Sequence, residues 1–152
     1  VANLKRDLGY DAPEDIFSYF ARAYDKQRRP NTQLLNFLHE IRLSGIKTAV
    51  LSNTISIYAS AQAQAGITKE GGFEPIIYSW QVELVKPQKE IFELALFELK
   101  VGPENIIFID DKTEHIKGAA SLGMHTILFK DTNKTIAQIL QLVTQETGSA
   151  GT

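Results

Sequence analysis

The chain has 152 residues, of which 43% are hydrophobic and 22% are charged, and its formal net charge is −2. That length suits one domain with a proper core, and the near-neutral charge gives no sign of a nucleic-acid-binding surface. Cysteine is absent, which excludes disulfides and thiolate metal sites and fits a reducing, cytoplasmic compartment. Because no apolar run approaches the ~20 residues that cross a bilayer and no signal-peptide pattern is present, we expect no membrane partner.

Apolar spacing and the positions of proline and glycine predict helices that alternate with strands. Helices are predicted at about residues 13–29, 31–43, 55–65, 88–100, 114–122 and 135–143, and strands at about 46–51, 75–79, 106–109 and 126–129. The strands are apolar runs rather than alternating patterns, as in sheets covered on both faces. The order therefore predicts an α/β fold, a three-layer sandwich with a mostly parallel, Rossmann-like sheet.

Two adjacent carboxylates, Asp110 and Asp111, follow the apolar run at residues 106–109. Ligands of open α/β sheets bind at the carboxyl ends of the strands, where this pair is expected to lie. Neighbouring carboxylates repel unless a proton or a cation relieves them, and Mg²⁺ takes oxygen ligands. The alternative is that Asp110 ends the strand and Asp111 caps the helix that begins near Thr113. The dipeptide alone leaves both interpretations open.

Two further polar segments stand at predicted element ends. Ser52, Asn53 and Thr54 follow the strand at 46–51, and Lys86 with Pro87 precedes the helix at 88–100. Taken singly, Ser52 is more often a helix cap and Lys86 a surface lysine. Together with the acid pair, however, hydroxyl and backbone donors and a lysine at one sheet edge are suited to binding a phosphoryl group.

In this order the segments resemble the haloacid dehalogenase-like (HAD) hydrolase superfamily, small helical-cap branch, over about residues 30–130. Ser52 and Asn53 resemble its second motif, which binds the phosphoryl oxygens. Lys86 resembles its third motif, the lysine that neutralises the nucleophile and the phosphoryl group. Asp110 and Asp111 resemble its fourth motif, which holds Mg²⁺. The resemblance implies that Lys86 and Ser52 are catalytic and that Asp111 is the direct metal ligand, with Asp110 beside it.

The chain departs from the family pattern in two places. His115 stands where this branch often has Asn or Asp, and the sequence leaves its role open. The first motif, an apolar strand running into Asp-x-Asp that supplies the nucleophile and the acid/base, has no counterpart here. In the family that strand lies between those ending at Ser52 and Asp110. We therefore expect a HAD-like core without its first central strand, through truncation or genuine loss. The expected parts are a cap remnant at residues 1–29, a core domain at 30–144 and a disordered tail at 145–152.

The missing strand also predicts a structural difficulty. Neighbouring strands lie about 4.8 Å apart, so removing a middle strand would leave nearly twice that distance between its neighbours. Unpaired backbone groups that stay buried cost about 1–3 kcal/mol each. The flanking strands could close up and pair directly, something else could fill the slot, or the chain could pack poorly or aggregate. Of these outcomes we expect closure or poor packing.

The resemblance implies a Mg²⁺-dependent phosphomonoester phosphatase that forms an aspartyl-phosphate on a small phosphorylated metabolite. Without the nucleophile we expect the chain alone to be inactive and to bind Mg²⁺ weakly. Alternatives are a 2-haloacid dehalogenase, which would not need the retained acid pair, and a catalytically silent HAD-like binding or scaffold protein. A receiver-type phosphoacceptor domain would place the acid pair first and Lys-Pro last, opposite to the order here. The substrate and the oligomeric state stay open.

Overall fold

The computed structural model describes residues 30–55, 58–59, 62–63 and 66–149. The predicted helix at 13–29 and the predicted cap remnant at 1–29 therefore lie outside the described residues. From residue 30 onward helices and strands alternate as predicted. The elements are α1 (Thr32–Leu43), β1 (Thr48–Ser52), β2 (Phe73–Tyr78), α2 (Ser79–Val82), α3 (Lys89–Leu99), a 3-10 turn (Pro103–Asn105), β3 (Ile107–Asp110), α4 (Thr113–Ala120), β4 (His125–Leu128) and α5 (Thr132–Ser149).

The four strands among the described residues form two parallel pairs rather than one continuous sheet. β1 pairs with β2, and β3 pairs with β4. Within the described residues β1 and β3 do not pair. Of the two expected outcomes, direct pairing of these strands is therefore wrong, and poor packing stays a prediction. Lys86 Nζ instead hydrogen-bonds to the Leu51 carbonyl of β1 and to the Asp110 carboxylate of β3. A side chain, rather than backbone pairing, joins these two strand ends.

One hydrophobic cluster covers the α3 and α4 side of both strand pairs. Its buried members are Ile77, Ile91, Phe92, Ala95, Ala119 and Met124. Leu51 of β1 and Phe108 of β3 pack against it, so the cluster draws on both sheets. The rings of Phe92 and Phe108 meet edge to face, with centroids 5.4 Å apart. This is one of the favoured aromatic geometries. Helix α3 therefore connects the two strand pairs through the core.

A second cluster lies on the opposite side, between α1, α5 and the β3–β4 pair. Ile41, Ile127 and Ile139 are its buried members, and Ile107 and Ile109 pack against it. Successive strand residues point to opposite faces, which is why Phe108 packs in the first cluster while its two neighbours pack in the second. Strand β3 is covered on both faces, which confirms the predicted three-layer arrangement.

The last helix is longer than predicted at both ends. It begins at Thr132 because Asp131 Oδ1 accepts a hydrogen bond of 2.9 Å from the Lys134 amide, a capping contact that favours an earlier start. It continues to Ser149, since no glycine or proline occurs between Asp131 and Gly148. Gln and Glu are also good helix formers. The tail predicted at residues 145–152 is thus helical to Ser149.

Two further expectations concern local structure. Between the predicted strand at 75–79 and the predicted helix at 88–100, the structure adds the short helix α2, which ends where Glu83 adopts a left-handed φ of 56°. Within the predicted helix at 55–65, the described residues 58–59 and 62–63 are helical. No helix in the described part of the chain is long and apolar enough to cross a membrane.

Two phenylalanines of α3 give a direct test of this core. Phe92 is fully buried, whereas the side chain of Phe97 is 76% exposed. Phe92→Ala is expected to lower the free energy of unfolding by about 3–5 kcal/mol, because it leaves a cavity between the two strand pairs. Phe97→Ala should change it by no more than about 0.5 kcal/mol. Urea denaturation of both variants checks this, and equal losses would contradict the proposed core.

Candidate active site

Lys86 is buried at the meeting point of the two strand pairs. Its side chain is 7% exposed, and its Nζ donates to Asp110 Oδ2 at 2.6 Å and to the Leu51 carbonyl at 2.7 Å. The ammonium also lies 5.4 Å from the centre of the Phe108 ring. Lysines are almost never buried unless they are paired. The interpretation of Lys86 as an ordinary surface lysine is therefore wrong.

The backbone of Lys86 is held by the loop that follows β1. Asn53 Oδ1 accepts from the Lys86 amide at 2.8 Å, and Asn53 Nδ2 donates to the Lys86 carbonyl at 2.9 Å. The next residue, Thr54, is tied to Ser79, whose hydroxyl accepts from the Thr54 amide and donates to the Thr54 carbonyl, both at 3.0 Å. The Asn53 amide thus positions Lys86 in this structure, and its contact with phosphate stays a prediction.

Asp110 is the partner of Lys86 and receives three hydrogen bonds. Oδ2 accepts from Lys86 Nζ, while Oδ1 accepts from the Lys112 amide at 2.9 Å and lies 2.9 Å from His115 Nδ1. Burial, the strongest single influence, opposes ionisation of this carboxyl group. The hydrogen bonds from Lys86, Lys112 and His115 and the charge of Lys86 outweigh it and hold the pKa of Asp110 below its usual value.

His115 lies on the first turns of α4 with a side chain only 6% exposed. An ionised carboxylate can only accept hydrogen bonds, so the short contact with Asp110 requires the proton on Nδ1. Sequence reasoning left this residue without a role. The sequence did contain one usable signal, the spacing between the two residues. Five positions after Asp110 fall on the helix that follows the strand, from which His115 contacts Asp110.

Asp111 differs sharply from Asp110. It is exposed and has no hydrogen bond to the described residues. The cap position of α4 is Lys112, with no side-chain capping bond. The interpretation of Asp111 as a helix cap is therefore wrong. Its carboxylate is available to a ligand at the carboxyl end of β3.

Ser52 is partly buried at the end of β1, between the two residues that contact Lys86. Its hydroxyl accepts a hydrogen bond from Gln62 Nε2 at 3.3 Å. The other side-chain atom of this amide, Gln62 Oε1, is buried without a partner among the described residues. The Ser52 hydroxyl thus accepts this hydrogen bond, and its contact with a phosphoryl oxygen stays a prediction.

The carboxylates of Asp110 and Asp111 differ in how well they suit Mg²⁺. Mg²⁺ prefers six oxygen ligands and commonly binds through one or two carboxylates together with water and substrate phosphate. Asp111 fits this chemistry, whereas both oxygens of Asp110 already accept hydrogen bonds. Among the described residues no group of three or more His, Cys, Asp or Glu side chains could hold a metal. The described residues therefore offer part of the ligand set that Mg²⁺ takes, and the assignment of Asp110 and Asp111 as its ligands stays a prediction.

A cavity of about 370 Å³ lies away from this cluster, between α1 and the loop before β2. Its lining includes His39, Arg42 and Phe73 but none of the residues described above. The chemistry of the strand ends, rather than this cavity, identifies the candidate site.

The low pKa of Asp110 predicts a dependence of stability on pH. A carboxyl group whose pKa is lower in the folded state stabilises the fold above its unfolded pKa, near 3.8. That contribution is lost as the pH falls through the folded pKa. The free energy of unfolding should therefore decrease below about pH 5, and Asp110→Asn should flatten this decrease. Chemical denaturation across acidic pH checks it, with Glu98→Gln as the control because Glu98 is exposed on α3 and has no hydrogen bond or ion pair to the described residues. An unchanged slope in Asp110→Asn would contradict the pairing.

Comparison with known proteins places the chain among relatives of several activities. It is 30% identical to bifunctional epoxide hydrolase 2 from Sus scrofa over 138 residues, 88% of this chain and 25% of that protein. It is 26% identical to sesquiterpene phosphatase astK from Aspergillus oryzae, over 76% of this chain and 58% of the relative. It is also 26% identical to (S)-2-haloacid dehalogenase 1 from Pseudomonas sp., over 64% of this chain and 42% of the relative. The chain thus spans only part of these proteins.

Solved structures of HAD-family enzymes also resemble this chain. A HAD-family enzyme from Bacteroides thetaiotaomicron, in a magnesium complex, is 29% identical with a TM-score of 0.60, covering 65% of this chain and 52% of that one. A protein from Corynebacterium glutamicum shares the fold. It is 18% identical with a TM-score of 0.65, covering 73% of this chain and 80% of that one. The family model for haloacid dehalogenase-like hydrolases matches residues 7–129. The chain therefore belongs to the haloacid dehalogenase-like hydrolase family.

Proposed function

We propose that this chain carries the phosphoryl-binding part of a Mg²⁺-dependent phosphomonoester hydrolase. The observation that carries the proposal is the Lys86 ammonium, which is buried and fixed by Asp110 and the Leu51 carbonyl. The residue directly after Asp110 is Asp111, whose exposed carboxylate has no partner among the described residues. A fixed cation and a free carboxylate at strand ends suit a phosphoryl group and a metal ion. A small phosphorylated metabolite is the proposed substrate class.

Each residue has a distinct proposed role. The Lys86 ammonium offsets the charge of the phosphoryl oxygens and of an attacking carboxylate, and it needs no reorganisation because its contacts already hold it. The Ser52 hydroxyl donates to a phosphoryl oxygen. Asp111 holds Mg²⁺, which when bound supplies neutralisation of phosphoryl charge. The relatives include a protein named as a phosphatase and a HAD enzyme solved with magnesium and inorganic phosphate, which support this assignment.

The chain contains no Asp-x-Asp sequence. A covalent aspartyl-phosphate route needs a carboxylate nucleophile and a second acid near the phosphorus. Asp110 is engaged with Lys86, and Asp111 is proposed as the metal ligand. We therefore propose that this chain alone binds phosphate without turning over phosphomonoesters. In-frame coding sequence upstream of Val1 for an apolar strand ending in Asp-x-Asp would favour an enzyme, and its absence would favour a catalytically silent binding protein.

Dehalogenation is the second candidate, because a relative is named as a 2-haloacid dehalogenase. That reaction uses a carboxylate nucleophile on carbon and has no need of a metal. The carboxylate of Asp111, which is exposed and has no partner among the described residues, favours the phosphatase. Chloride release from a 2-chloroacid, insensitive to Mg²⁺ and to Asp111→Ala, would instead favour the dehalogenase.

Turnover of p-nitrophenyl phosphate tests the proposal. The chain as given should show none above background. A protein extended by an Asp-x-Asp strand should show Mg²⁺-dependent turnover, which Lys86→Ala lowers about 10²–10³-fold, as for other groups that stabilise transition-state charge. The exposed Lys89, three residues further along, provides the matched control, and Lys89→Ala should leave turnover unchanged. Mg²⁺-dependent turnover by the short chain that survives Asp111→Ala would contradict the mechanism.

A further inference from the structure

We propose that His115 is a positioning residue: it fixes the Asp110 carboxylate and, through that carboxylate, the direction of the Lys86 ammonium. Its effect on the geometry of Lys86 depends only on the contacts described above. Its effect on phosphate binding rests on the proposed function.

The first step is the contact between His115 and Asp110. Both side chains are less than a tenth exposed, and His115 Nδ1 lies 2.9 Å from Asp110 Oδ1. The same oxygen accepts from the Lys112 amide. Two donors on one oxygen hold the carboxylate plane against rotation better than one donor does. Removing the imidazole would leave Oδ1 with the Lys112 amide alone.

The second step is the contact between Asp110 and Lys86. A lysine ammonium has three N–H donors. Two of them are used, on Asp110 Oδ2 and on the Leu51 carbonyl, and the third has no hydrogen-bond partner among the described residues. Because the ammonium is tetrahedral, two fixed donors set the direction of the third. A rotation of the Asp110 carboxylate would therefore turn the third N–H away from its present direction.

The third step is the choice of side chain at position 115. The Nδ1–H of histidine can donate to the ionised Asp110, whereas an ionised carboxylate at position 115 has no donor to offer it. Asparagine can place its Nδ2 donor near the position of Nδ1 and is the conservative replacement. Glutamine carries the same amide one carbon further out, and leucine fills similar space without a donor. These three variants separate the hydrogen bond from the packing of the ring.

The test uses the full chain, with the side-chain ammonium of Lys86 observed by ¹H–¹⁵N NMR and assigned through Lys86→Met. Only ammonium groups held by hydrogen bonds give sharp, slowly exchanging signals. We expect the Lys86 signal in the wild type and in His115→Asn, and its loss in His115→Leu and His115→Gln. His39, an exposed histidine of α1, is the control, and His39→Leu should leave the signal unchanged.

An unchanged Lys86 signal in folded His115→Leu would overturn the proposal. If His115→Leu does not fold, the comparison of His115→Asn with His115→Gln decides. A Lys86 signal retained in both variants overturns the proposal, and a signal retained only in His115→Asn supports it. A second measurement follows inorganic phosphate binding, where loss of an orienting hydrogen bond should raise the dissociation constant about fivefold in His115→Leu. If the wild type binds no phosphate, the proposed function fails while the NMR comparison still decides the role of His115.

Discussion

The buried ion pair between Lys86 and Asp110 is the interaction on which the rest of the structure depends. Its two side chains are 7% and 8% exposed, and the charged atoms lie 2.6 Å apart. Removing such charges from water costs several kcal/mol per ion, and their attraction repays this only when further hydrogen bonds satisfy both groups. Here the Leu51 carbonyl, the Lys112 amide and His115 supply those bonds. The pair joins the ends of two strands that belong to different sheets, so one contact serves both fold and site.

Packing and electrostatics have separate tasks in this arrangement. The cluster around Phe92 draws Leu51 and Phe108 to the same helices and holds the two strand pairs in one body without direct pairing of β1 and β3. Such burial is not directional, so it cannot by itself set the position of an ammonium group to within hydrogen-bond distance. The hydrogen bonds of Asn53 to the Lys86 backbone, and of Asp110 to its ammonium, supply that precision. A cation held in advance suits the stabilisation of phosphoryl charge.

The parts of this account that were predictable from sequence are those that depend on short patterns. Apolar runs predicted the α/β layers, and acids and hydroxyls at strand ends predicted where Ser52 and Asp110 would lie. The bidentate contact of Asn53 with Lys86 joins residues 33 positions apart, and it depends on loop geometry that no local pattern encodes. The role of His115 depends on its rotamer. Separation into two strand pairs depends on long-range packing. The early start of α5, by contrast, was readable from Asp131, whose type favours capping.

A double-mutant cycle on the ion pair tests the central claim most directly. Lys86→Met and Asp110→Asn should each lower the free energy of unfolding by about 3–5 kcal/mol, because each leaves a buried charge without its partner. The double variant should lower the free energy of unfolding by clearly less than the sum of the two single losses. The exposed pair Lys89–Glu93, also 2.6 Å apart, provides the matched cycle and should show far weaker coupling. Losses at Lys86 and Asp110 that add within about 0.5 kcal/mol would contradict the account.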